Sequence, residues 1–368
     1  MPFSVNRGYL PEIDHLRAFA ALLVLFYHGF QLLGTQLAHS ASFNPSQHWL
    51  YPSNPIIAIV VEGHSGVGLF IVLSGFILSL GAIGNTVSFK PFIIARALRI
   101  YPMLMVCLLV ASSIRQSNLM SFLTTLLPVN TSGGIDDAFV ALLWAVAVEF
   151  QCYLIFPFLI AFSNERGSKF LLQVIAVAFI LRALAMFAEA ANPRDLSYWT
   201  VLGRIDQFCI GIIAARLAVG MKMKPNAWWF VPSAIAAGLI LWQFNRLGGW
   251  PLIAFWKIAW PPIEGVMWAC FIVTYMSLGR LLPHPISWLG SKLGEISYSV
   301  YLIHFAVVAG IIRQGLYIRP TGNGYYDALV TTLLVALPIT LAISLLTYRT
   351  VELPFLRMRP KYITPRGS

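Results

Sequence analysis

The chain has 368 residues, 58% of them hydrophobic and 11% charged, with a mean hydropathy of +0.75. That balance excludes a water-soluble core wrapped in a polar shell. The formal net charge of +11 is spread over many short connections, so it reads as a membrane-topology signal and not as a nucleic-acid surface.

Apolar stretches of roughly 20 residues recur along the chain, each long enough to cross a hydrocarbon core of about 30 Å. They predict ten helices, near residues 16–36, 64–82, 97–114, 138–162, 169–190, 199–218, 227–244, 262–279, 295–315 and 326–348. The first is too long and too charged for a cleaved signal peptide. No stretch reads as a soluble domain, a repeat array or a low-complexity tail. The whole chain, 1–368, is expected to form one all-α integral membrane domain. Lys and Arg crowd the odd-numbered gaps, as with Lys90, Arg96 and Arg99, or Arg349, Arg357, Arg359 and Lys361. The connection 37–63 has none, and the positive-inside rule then puts both termini in the cytoplasm. The closing TPRGS has the look of a cloning remnant and carries no weight. Cys107, Cys152, Cys209 and Cys270 all fall in predicted helices, which argues against a disulfide, and their spacing argues against a metal site.

Ionisable groups at membrane depth are functional candidates by default. In EIDHLRAFAALLVLFYHGF, Arg17 and His28 stand eleven residues apart, so both lie on one helix face with about 16 Å of rise between them. Asp14 joins that face. The line suits a long substrate with an anionic head and a reactive far end; it equally suits a snorkelling arginine and a histidine bound to a carbonyl. Ser65 and Ser74 lie in GHSGVGLFIVLSGFILS, which lacks a nucleophile elbow and reads as close helix packing. Arg96 and Arg99, one turn apart in FIIARALRIYP with Lys90 nearby, could hold phosphates or simply anchor topology. Glu149, in LLWAVAVEFQCYLIFPF, is expected at a depth like that of His28 and could pair with it. The alternative is an ion pair of Glu149 with Arg182 or Arg204. His304, in GEISYSVYLIHF, lies at a similar depth and reads by itself as a packing or hydrogen-bonding residue. Trp49, Tyr51, Trp250, Trp256 and Trp260, near the outer helix ends, could stack on sugar rings or form an interfacial belt.

Taken in order, EIDHLRAFAALLVLFYH, GVGLFIVLSGFILS, RALRIYP, LLWAVAVEFQCYLIFP, RIDQFCIGIIAA, ISYSVYLIH and VELPF resemble the landmarks of the membrane acyltransferase-3 family, the bacterial sugar O-acyltransferases. The chain departs from the pattern at Gly68, where an acid is usual, at Ala95, where an arginine is common, and at Ala145, where a serine is. It is expected to lack the esterase-like domain fused to some relatives. The resemblance implies a multi-pass protein of the bacterial inner membrane. It implies transfer of an acyl group, foremost acetyl from acetyl-CoA, to a carbohydrate hydroxyl. It also implies roles for Arg17 and His28, and for Arg96, Arg99 and Glu149. In the resulting mechanism His28 is the general base, Glu149 orients it, and Arg17, Arg96, Arg99 and Lys90 hold the donor's phosphates. Asp14, Arg204, Tyr298 and His304 are the candidates for substrate contact. The expected partners are acyl-CoA, a carbohydrate acceptor and membrane lipid, with no metal and no nucleic acid. A transporter or flippase would also carry buried His, Glu and Arg, but no repeat relates the two halves of the chain.

Overall fold

The computed structural model describes residues 9–115, 142–220 and 226–365. Eleven long helices run through them: α1 (Pro11–His39), α2 (Gly63–Ala82), α3 (Phe89–Arg115), α4 (Leu143–Arg166), α5 (Ser168–Phe187), α6 (Val201–Gly220), α7 (Ala227–Arg246), α8 (Phe255–Leu281), α9 (His284–Glu295), α10 (Ser297–Gln314) and α11 (Gly324–Arg357). Among the described residues, eight helices are long and apolar enough to span a membrane, or nine if α9 and α10, bent by 67° at Ile296, count as one span. The protein is an all-α integral membrane protein. The remaining predicted segment is α6, which carries Arg204, Asp206 and Arg216 and is less apolar for that reason. The predicted start at residue 138 lies outside the described residues.

Local sequence explains the helix ends. Pro11 opens α1 with Glu12 and Asp14 in the first turn, where carboxylates suit the exposed N–H groups. Directly after His28 the helix widens into one π-turn, Gly29–Leu33, and α11 has another at Thr332–Ala336. The two meet, because a Cβ on Gly29 would overlap the Thr332 side chain. The expected close packing of α2 is present. Gly75 lies on the Phe208 carbonyl and Gly211 on that of Val72, so α2 and α6 touch backbone to backbone.

Helix α6 is interior, and its Arg204 and Asp206 are ion-paired there. Arg182 of α5 donates to Asp206 at 2.5 Å and to the Leu202 carbonyl at 2.7 Å. The outward faces of α5 and α7 expose Ile180, Leu184, Phe187, Ile235 and Leu239, as a lipid-facing surface requires. A small antiparallel sheet pairs β1 (Asn85–Val87) with β2 (Ile363–Pro365), with Thr86 opposite Thr364. It ties the segment after α11 to the connection between α2 and α3.

Candidate active site

Two histidines meet where α1 and α10 pack together. His28 Nδ1 lies 3.0 Å from His304 Nε2 and 3.1 Å from the Val24 carbonyl, and His304 Nδ1 lies 3.0 Å from the Val300 carbonyl. A carbonyl only accepts, so the proton of His304 is assigned to Nδ1 and its Nε2 is left as an acceptor. The His28 proton then belongs on Nδ1, shared between Val24 and His304. Nε2 of His28 keeps its lone pair and has no hydrogen-bond partner among the described residues. His304 is fully buried and His28 is not, so His28 is the accessible member of the pair. The Phe305 ring stands edge-on to His28, with centroids 5.1 Å apart.

This corrects one expectation. Glu149 does not back His28; His304, expected to contact substrate, takes that place. Glu149 instead accepts from Ser74 Oγ at 2.7 Å and from Tyr153 OH at 2.5 Å. The depth comparison misled because α1 runs on to His39 while α4 starts at Leu143, placing His28 eleven residues from its helix end and Glu149 only six from its own. Nor does Glu149 pair with Arg182 or Arg204, since Arg182 holds Asp206 and Arg204 holds Glu264 at 3.0 Å.

Below the histidines, a narrow cavity is lined by Arg17, Arg99, Glu149, Tyr153 and Tyr298, with Val67, Ile71 and Ala145 among its apolar walls. Asp14 pairs with Arg17 at 3.0 Å, and Tyr298 donates to the Ile100 carbonyl at 3.0 Å. Tyr301 joins the cavity to the histidine pair, because it lines the cavity and its ring centroid is 5.9 Å from that of His304.

The predicted phosphate cluster is only partly assembled. Arg99 lines the cavity, whereas Arg96 is buried one turn away among Phe92, Tyr153 and Tyr362, 5.6–5.7 Å from each ring. Lys90 is exposed in the first turn of α3 and does not line the cavity. Arg359, which sequence reasoning spent on topology, joins the cluster. Burial and then the neighbouring Arg99, Arg96 and Arg17 push its guanidinium down to about 9. Such crowding of like charge is relieved by a polyanion.

Arg204 is not free for substrate. It sits 4.5 Å over Tyr198 and donates to Glu264, which also takes Gln207 at 2.6 Å and the Ser65 hydroxyl. Glu264 answers the departure at Gly68. A Cβ on Gly68 would stand 2.9 Å from the carboxyl carbon of Glu264, so α8 delivers a carboxylate to the space an acid at position 68 would fill.

The acyltransferase-3 family model, described as "Acyltransferase domain", matches residues 10–349. The chain is 23% identical to "Putative O-acetyltransferase SACOL0978" of Staphylococcus aureus (strain COL), covering 96% of this chain and 60% of that protein. It is 23% identical to "Putative peptidoglycan O-acetyltransferase YrhL" of Bacillus subtilis (strain 168), over 95% of this chain and 55% of the other. It is 25% identical to "Acyltransferase MdmB" of Streptomyces mycarofaciens, over 84% of this chain and 81% of the other. The chain thus spans about 60% of the length of the staphylococcal relative. No solved structure matches it.

Proposed function

The chain belongs to the acyltransferase-3 family, and from that premise we propose that it is an O-acetyltransferase of the bacterial inner membrane that moves acetyl from acetyl-CoA to a hydroxyl of a carbohydrate. The observation that carries the reading is the accessible imidazole of His28, its Nδ1 proton held by His304 and Val24, on the helix that also carries Arg17. Acyl transfer to an alcohol needs a base that takes one proton and returns it, and a neutral imidazole with one ring nitrogen fixed is suited to both steps.

Arg17, Arg99 and Arg359 would hold the donor's phosphates from the cytoplasmic side, and the slender pantetheine arm would follow the cavity past Glu149 and Tyr298. His28 Nε2 would take the proton of the acceptor hydroxyl as its oxygen attacks the thioester carbonyl. Collapse of the tetrahedral adduct breaks the carbon–sulfur bond, and His28 returns the proton to the departing thiolate. Glu149, held by Ser74 and Tyr153, would shape the channel rather than charge the base. The transporter reading gains no support from the family match or from the relatives.

The test is acetyl-CoA turnover by the purified chain in nanodiscs, read as free thiol released in the presence of a carbohydrate acceptor. The expected result is turnover by the wild type and none above background by His28→Ala. A folded His28→Ala variant with normal turnover would remove His28 from the chemistry.

A further inference from the structure

Beyond the histidine pair lies a second imidazole cluster that the mechanism does not use. Glu62 is fully buried, and its Oε2 is 2.8 Å from His64 Nε2. Its Oε1 accepts from Asn245 Nδ2 at 2.8 Å and from Trp49 Nε1 at 3.3 Å. A carboxylate accepts only, so the Nε2 nitrogen of His64 carries a proton and Nδ1 faces away from it. Three buried polar atoms of this cluster have no hydrogen-bond partner among the described residues: His64 Nδ1, Asn245 Oδ1 and Trp250 Nε1. A buried polar atom without a partner is costly, and three of them in one cluster call for a common partner.

Aromatic rings wall the cluster. The centroids of Trp49 and Tyr198 lie 6.0 and 5.3 Å from that of His64, and Trp250 lies 6.1 Å from Trp49 and 5.7 Å from Tyr198. Trp250 is carried there by Gly249, where φ is 55° and a Cβ would meet Trp49 Nε1 at 2.5 Å and Glu62 Oε1 at 2.6 Å. Only glycine fits that position. The cluster adjoins the proposed base, since the Tyr27 ring is 4.7 Å from that of His28 and 5.4 Å from that of His64.

We propose that Glu62–His64, with Asn245, Trp49, Trp250 and Tyr198, forms the binding subsite for the acceptor, and that its ligand is a pyranose ring. This rests on the acetyl-transfer reading above. Aromatic rings offer a face to the apolar C–H side of a sugar. The three unpaired atoms supply one N–H donor, one amide oxygen and one imidazole nitrogen for its hydroxyls. Placing the ring one side chain from His28 brings a hydroxyl within reach of that base.

The experiment uses the full chain in nanodiscs, radiolabelled acetyl-CoA, and the methyl glycosides of glucose, galactose and N-acetylglucosamine as acceptors. For His64→Gln and Trp250→Phe, we expect the acceptor KM to rise at least tenfold while the acetyl-CoA Kd stays within twofold of wild type. The phenylalanine keeps an aromatic ring while removing the N–H and the pyrrole half of the indole, and the unchanged acetyl-CoA Kd guards against a folding defect. Unchanged acceptor KM in both variants overturns the subsite and leaves the acetyl-transfer reading standing. Equal weakening of donor and acceptor overturns it as well, because the cluster is then structural. No transfer by the wild type to any glycoside overturns the pyranose acceptor, and this subsite with it.

Discussion

His304 accepts the Nδ1 proton of His28 across 3.0 Å, and its own proton is held by the Val300 carbonyl at 3.0 Å. One imidazole thereby fixes the tautomer of the other, a task often given to a carboxylate. A neutral partner adds no charge to a site buried between membrane helices. If His28 is the base, His304→Ala should lower kcat by about 10- to 100-fold with little change in acetyl-CoA KM, while His28→Ala should lose roughly 10²–10⁴-fold. Steady-state kinetics on folded variants check both. An unchanged kcat in His304→Ala would mean that the pair is only packing.

The cationic mouth makes a prediction about donor binding. Charge-assisted phosphate contacts contribute about 1.5–3 kcal/mol each, so Arg99→Ala and Arg359→Ala should each weaken acetyl-CoA binding by about 10- to 150-fold. Acetyl-pantetheine, without the nucleotide phosphates, should bind all three proteins alike. Calorimetry with both donors decides, and equal losses for the two would confine these arginines to topology.

The same cluster makes binding depend on pH. The Arg359 guanidinium is pushed down to about 9, so its charge is complete well below that value and is lost as pH rises through it. Bound phosphate favours the charged form, so acetyl-CoA affinity should fall between about pH 8 and 10. In Arg359→Ala that fall should disappear. Persistence of the same slope in the variant would assign it to another group.

Glu264 and Gly68 share one space, which can be tested by exchange. Glu264→Ala strands the buried Arg204 and should cost roughly 3–5 kcal/mol of stability. Gly68→Asp alone brings a second carboxylate against the first and should also destabilise. The double variant should recover part of the loss, measured by thermal unfolding in detergent. Additive losses would show that position 68 cannot serve Arg204.

Topology is open to chemical labelling. Gln47 is exposed in the short helix Pro45–His48, and Lys292 is exposed on α9. If both termini are cytoplasmic, as the positive-inside rule implies, Gln47→Cys should react with an impermeant maleimide on intact cells, and Lys292→Cys only after permeabilisation. The reverse pattern would invert the proposed direction of acyl transfer.

What was legible in the sequence, and what was not, follows from range. Runs of about 20 apolar residues identify membrane helices without knowledge of their neighbours, and Arg17, Asp14 and His28 share a face by helical arithmetic alone. Which group backs His28 depends on how α10 docks on α1, and nothing in either segment encodes that contact by itself. The bend at Ile296 hid in the same way, because α9 fell in the connection expected between residues 279 and 295, and only α10 read as a membrane helix. Arg359 sits among basic residues of a kind that commonly anchor topology, and its place beside Arg99 depends on the return of the chain after α11. Gly68 read as a missing acid because the compensating carboxylate stands nearly 200 positions away in the chain.

The π-turn at Gly29–Leu33 has a meaning in terms of descent. A π-turn is a helix holding one residue more than its length requires, which is the geometry that a single-residue insertion absorbed into the helix would leave. Because it begins immediately after His28, the spacing from Arg17 to His28 is untouched while everything beyond is turned by about 100°. Aligned relatives should therefore vary by single-residue gaps after this histidine and never before it.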